Sequence, residues 1–183
     1  VIVGAPGYQS MGRVFAYDGS TGALIQELIL KGKAGEFGSQ IAVTSRWIAI
    51  SAPGPSQPTI ADSKKKSPGT VFDATTLKPV LTKTTSGEGF GRQIALAGDR
   101  LFVSAPGAPY NRMFSVGVVR AYAMPKGKQL GTIMAREPKA LESFGQSLDA
   151  SESMVVIGGM FDRSIGSAAL QVHAASDLRF QGY

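Results

Sequence analysis

The chain has 183 residues, a formal charge of +6, one histidine and no cysteine. That length carries one sizeable core, and the missing cysteine excludes disulfide staples and thiolate metal sites. No apolar run approaches the roughly 18 residues that a membrane helix needs, and 23 glycines with 10 prolines leave little room for long helices.

The chain opens on Val1-Ile2-Val3-Gly4-Ala5-Pro6, an apolar run closed by a small-residue turn. A β-branched strand follows at Arg13 to Tyr17, then a hairpin turn at Asp18-Gly19, where a glycine is expected to supply positive φ. Leu24 to Leu30 reads as the next strand. From Phe37-Gly38 onward the same order starts again with an extra strand in front: Gln40 to Val43, Trp47 to Ser51 closed by Ala52-Pro53, then Thr70 to Phe72 and Pro79 to Thr82. Phe90-Gly91 begins a third copy: Gln93 to Leu96, Arg100 to Ser104 closed by Ala105-Pro106, Val118 to Tyr122, and Gln129 to Ile133 across a turn at Lys126-Gly127. Phe144-Gly145 begins a fourth: Gln146 to Leu148, Met154 to Gly158, a weaker run at Ala169 to Val172, and a stub near Leu178 to Phe180.

The Phe-Gly pairs lie 53 and 54 residues apart, at 37, 90 and 144. A period of this size with strand content marks a repeat architecture. We call the four strands of a unit A to D. Strand B is apolar at successive positions, as in Ile48-Ala49-Ile50 and Leu101-Phe102-Val103, so both of its faces must be covered. Repeated antiparallel four-stranded units covered on both faces are blades of a β-propeller. The fold class is therefore all-β, a partial ring of about three to four blades. One partial propeller is expected over 1–183, with an incomplete blade at 1–34 (strands B to D), blades at 37–84 and 90–135, and a last blade at 144–183 short in strand D.

The order Phe-Gly, Gly-Ala-Pro, Gly-x-Val-x-x-Tyr resembles the FG-GAP repeat of integrin α-subunit propellers and of bacterial extracellular proteins. The segment from Gly12 to Leu24 is especially similar to the bacterial members. The resemblance implies an extracellular, cell-surface or periplasmic location and a role in adhesion or protein binding. Two features depart from it. The family's ring has seven blades, so this chain is expected to be an excerpt lacking its true N-terminus, or to be completed by other chains. The family's calcium loops fall between strands A and B, where Ca²⁺ needs six to eight oxygens. Here those segments are Thr44-Ser45-Arg46, Ala97-Gly98-Asp99 and Ala150-Ser151-Glu152-Ser153. With at most one carboxylate each, they give no reason to expect calcium, and no metal or cofactor is expected elsewhere.

Phe37, Phe90 and Phe144 read as aromatic wedges between blades, each beside a glycine that permits close approach. His173 has no partner set for a triad or a metal site and reads as a packing or surface residue. Trp47, whose repeat equivalents are Arg100 and Met154, reads as an exposed or half-exposed rim residue. The turn at Asp18 to Gly22 is similar to one in quinoprotein propellers, but hairpin chemistry alone accounts for it. No acid pair, activated nucleophile or phosphate loop is present, so the chain does not read as an enzyme.

The connections between strands B and C are long and varied: Gly7 to Met11, Gly54 to Pro68, Gly107 to Val116 and Met160 to Ile165. They are expected to carry Tyr8, Lys64, Lys65, Lys66, Tyr110, Arg112, Phe114, Phe161 and Arg163 to one end of the ring. Variable loops on a rigid scaffold are where binding resides, and Tyr with Arg is an anchor composition. The expectation is a non-catalytic scaffold binding a protein or glycan partner, an acidic one included, through this end. Lys64-Lys65-Lys66 taken alone reads more readily as solvated charge than as a binding site, and the remaining Lys and Arg are too dispersed for a nucleic-acid footprint. Two alternatives stand beside it: a building block whose open blade edges pair with other propeller segments or copies of itself, and the accessory propeller of an enzyme whose catalytic part lies elsewhere.

Overall fold

A computed structural model describes residues 1–30, 35–53, 66–86, 88–162 and 167–182. The described residues are all-β apart from one 3-10 turn at Tyr8–Ser10. Strands β1 (Ile2–Ala5), β2 (Arg13–Tyr17) and β3 (Leu24–Leu28) form a three-stranded antiparallel sheet. Three four-stranded antiparallel sheets follow, each an uninterrupted meander. The first holds β4 (Gln40–Val43), β5 (Trp47–Ser51), β6 (Lys66–Asp73) and β7 (Pro79–Ser86). The second holds β8 (Ile94–Ala97), β9 (Arg100–Ala105), β10 (Val118–Ala123) and β11 (Lys128–Ile133). The third holds β12 (Ser147–Ala150), β13 (Met154–Asp162), β14 (Ser167–Ala174) and β15 (Phe180–Gly182).

The sheets stack face to face in chain order, and the apolar runs of strand B explain why. Every residue of β5 is buried. Its Ile48 and Ile50 join Val14 and Leu28 of the first blade, whereas Trp47 and Ala49 join Leu101 and Val103 of the third. The period of two in β9 works identically: Leu101 and Val103 face backward, and Phe102 faces forward onto Val155 and Ile157. Each Phe of a Phe-Gly pair is buried in one such layer, Phe37 between blades one and two, Phe90 between two and three, Phe144 between three and four.

The glycine after each Phe has φ between +81° and +95°, and the residue before it also has positive φ: Glu36, Gly89 and Ser143. That double reversal turns the Phe ring inward while each glycine amide donates to the carbonyl closing strand B: Gly38 to Ser51, Gly91 to Ser104 and Gly145 to Gly158, at 2.9–3.0 Å. A Cβ on Gly145 would stand 2.9 Å from Ser104 Cβ, and one on Gly91 would stand 3.4 Å from Ser51 Cβ. Gly38 likewise lies against Gly4. The small residue before each Ala-Pro is thus the seat for the next blade's glycine, which ties the two halves of the repeat together.

Several expectations need correction. Trp47 is not at an exposed rim: it is 3% exposed, and its Nε1–H donates to Asp99 in the next blade's A–B turn at 2.7 Å. His173, by contrast, takes the packing role, one of its two expected readings: it is buried, with Nδ1 3.0 Å from the Leu178 carbonyl and an edge-on contact to Phe180. In the first hairpin the positive φ belongs to Gly22, not Gly19; Gly127 takes it in the third blade. Strands B and C of the last blade are longer than the sequence suggested, because pairing resumes beyond a register shift, with Phe161 opposite Ala168 and Asp162 opposite Ser167. Strand C of the second blade begins at Lys66, opposite Ser86.

Candidate binding face

The A–B and C–D turns share one end of the sheets. Ala74 donates to the Arg46 carbonyl, Met124 to Asp99 and Ala175 to Ser153, all at 2.8–2.9 Å. The described parts of the B–C and D–A connections share the other end, where the Phe37 amide donates to the Met11 carbonyl, Gly107 to Glu88 and Leu141 to Phe114.

In the third blade the B–C connection runs from Pro106 to Gly117. Tyr110 and Met113 exchange both backbone hydrogen bonds, at 2.8 and 2.9 Å, around Asn111 (φ 47°) and Arg112 (φ 65°). Two central residues with positive φ inside a closed pair match the tight type I′ hairpin turn. Such a backbone is sparsely populated by residues other than glycine, so an arginine at its tip is held there by its surroundings. Past the turn, the carbonyls of Phe114, Ser115 and Val116 accept from Leu141, Ser143 and Phe144 in the D–A connection leading to the fourth blade. Ser115, Leu141 and Ser143 also have positive φ. Two strained segments brace one another, with the buried Phe144 ring as their anchor.

The side chains presented by this braced pair are apolar and aromatic. Phe114 is 65% exposed and Leu141 61%, with Tyr110 and Arg112 also exposed. Met160, exposed on β13, donates its amide to the Glu142 carbonyl and extends the patch into the last blade. Glu142 lies among these groups. Partial burial raises its carboxyl pKa, against the lowering influence of the Lys139 amide and charge. An exposed patch of aromatic and aliphatic side chains on ordered backbone, with a cation beside it, suits docking and offers no groups arranged for acid–base or nucleophilic work.

The structure thus brings Tyr110, Arg112 and Phe114 into a single loop. Tyr8 sits in the first blade's connection, edge-on to Phe15 with Arg13 over its ring. Lys66 and Phe161 are corrected from loop to strand: continued β pairing draws their backbone into β6 and β13. Lys64, Lys65 and Arg163 lie outside the described residues. Leu141 and Met160 were missed; the one sequence signal for Leu141 was a lone large apolar residue in the polar D–A connection just before Phe144. Among the described residues no cluster of three His, Asp or Glu groups could hold a metal, and no helix is long and apolar enough to cross a membrane.

No family profile and no curated protein matches the chain. Solved structures do. The WD40 domain of Pan2 from Neurospora crassa superposes with a TM-score of 0.55 at 11% identity, covering 94% of this chain and 47% of that one. The propeller of Dos1 superposes with a TM-score of 0.52 at 14% identity, covering 100% of this chain and 45% of that one. The fold is a β-propeller. The chain spans about half the length of these two propellers, and at such identities the likeness establishes architecture alone, so WD40-type and FG-GAP-type rings fit it equally.

Proposed function

We propose that the chain is a non-catalytic propeller scaffold that docks a protein partner through the end carrying the B–C and D–A connections. The observation that carries this reading is the braced loop pair at 106–117 and 138–144. It exposes Tyr110, Arg112, Phe114 and Leu141 on backbone already fixed by hydrogen bonds. Docking to a surface ordered in advance loses little conformational entropy, and Tyr and Arg are the side chains that most often dominate interface energy. The opposite end carries short turns whose polar side chains are spent on their own backbone, as with Asp18 and Asp73. The FG-GAP resemblance of the repeats supports an extracellular or surface setting and an adhesion-type role. A glycan ligand is the competing occupant of the same end, and an acidic partner would suit Arg112.

The test is replacement of Tyr110, Arg112 and Phe114 by Ala. Partner capture from an extract of the source organism falls at least tenfold, while the melting temperature stays within a few degrees, because these side chains are exposed and fill no core. Undiminished capture by the folded triple variant overturns the choice of end.

A further inference from the structure

Gly69 stands apart from its repeat equivalents. Val14, Gly69, Val119 and Leu170 share one position of strand C, each opposite the small residue near the end of strand B. Val14 and Val119 are fully buried, and a Cβ built on the wedge glycine of the following blade would stand 2.9 Å from Val14 Cγ2 at Gly38 and 3.2 Å from Val119 Cγ2 at Gly145. These valines fill the layer beside each wedge. Gly69 is buried too, yet a Cβ there would meet no described atom within 4 Å, and a Cβ on Gly91 would meet only Ser51 Cβ among described atoms, at 3.4 Å. The layer between blades two and three thus has room where the layers on either side hold a valine.

The walls of that room are polar. Ser51 lies opposite Gly69 and turns toward Gly91. Arg120 lies opposite Val103 on the backward face of the third blade. Its guanidinium carbon is 5.9 Å from the centre of the Phe90 ring, and its Nη2 donates to Glu88 Oε2 at 2.8 Å. Among the described residues two buried side-chain atoms have no hydrogen-bond partner, Ser51 Oγ and Arg120 Nη1. Both belong to this layer. Polar residues at the same repeat positions elsewhere are matched within the protein. Ser104 Oγ accepts from the Gln93 amide at 2.9 Å, Thr70 pairs with Thr82 at 3.2 Å, and Gln171 pairs with His173 at 3.2 Å. An unmatched buried polar atom is costly, and buried water commonly matches such atoms where the cavity is polar, whereas apolar cavities stay dry.

We infer that one water molecule is bound between blades two and three beside Gly69, accepting from Arg120 Nη1 and donating to Ser51 Oγ. The Glu88 carboxylate already balances the Arg120 charge, so a neutral molecule that both donates and accepts fits better than an anion. The space of a valine side chain suits a single water with two polar partners. Bound there, the water steadies the Arg120–Glu88 pair below the 106–117 loop, whose Gly107 amide donates to the Glu88 carbonyl at 2.8 Å. The site holds whichever end of the sheets docks a partner.

A high-resolution crystal structure of the chain tests it. The expected result is density for one water within about 3.2 Å of both Ser51 Oγ and Arg120 Nη1. No density there, or Ser51 Oγ and Arg120 Nη1 bonded directly to protein groups, overturns the inference. An anomalous peak at that place after bromide replaces chloride in the crystals identifies an anion and overturns the choice of water. Ser51→Ala gives an independent reading in solution. Losing a hydroxyl that is bonded to water lowers the melting temperature by about 2 °C or more. Deleting an unmatched buried hydroxyl relieves the fold instead, so an unchanged or higher melting temperature contradicts the bound water.

Discussion

Gly117 and Gly22 both have positive φ, at +86° and +69°, yet a methyl group would meet different surroundings at each. At Gly22 nothing lies within 4 Å, whereas at Gly117 a Cβ would stand 2.3 Å from the backbone N and O of Phe144. Gly22→Ala therefore costs only the left-handed backbone penalty, about 1 kcal/mol. Gly117→Ala adds a collision with main chain that cannot move without dislodging a buried ring, and costs more than about 3 kcal/mol. Urea denaturation of the two variants separates these outcomes; equal midpoints contradict the close packing of loop on wedge. The Phe wedges could be read from sequence because an aromatic beside a glycine at a fixed period has few other uses. Trp47 could not, because its burial depends on Asp99 in another blade, 52 positions away. Position within a repeat says which way a side chain points, and only packing says whether anything waits there.

The C–D turns form a set of their own. Asp18 accepts from the amides of Ser20 and Thr21 and from both hydroxyls, and Asp73 accepts from Thr75 and Thr76. These bonds hold both carboxyls below the ordinary value of 3.8. Asp177 is lowered similarly by bonds from Arg179. A carboxyl whose folded pKa is depressed contributes stability above its unfolded pKa and loses it as pH falls through the folded value. Glu142 runs oppositely: its pKa is raised from 4.5, so its contribution is complete below that value and fades as pH rises through the folded pKa. The expected result is a melting temperature that declines as pH falls below 3.8, with the Asp18→Asn, Asp73→Asn pair showing a shallower decline. Identical pH slopes in the two proteins contradict the turn assignment. Turn chemistry of this kind was legible as Asp followed by Ser and Thr. The fourfold left-handed position was less so, since Gly22 and Gly127 alternate there with Leu77 and Leu178, whose side chains pack against the cores. Strand ends at Lys66 and Asp162 were equally hidden, because neighbouring strands supply pairing that Gly, Pro and Lys residues do not advertise.

At the scale of the molecule, four sheets are held in a row by three buried layers, each with one wedge. The period of the Phe-Gly pairs and the unbroken apolar strand B make this architecture readable in the sequence, since a strand wet on neither face requires neighbours on both sides. The candidate face was only half readable. Its long connections and its Tyr110, Arg112 and Phe114 stood out, but the brace from Leu141 to Phe144 and the exposure of Leu141 emerge only when two connections from different blades are hydrogen-bonded. The account rests on docking at that end and not at the end with the short turns. The direct measurement is site-specific photocrosslinking with benzoylphenylalanine at Arg112 and, separately, at Thr21, in the presence of source-organism extract, with adducts resolved by mass. A discrete protein adduct from position 112 and none from position 21 is the predicted result. The same adduct from both positions, or one from position 21 alone, contradicts it.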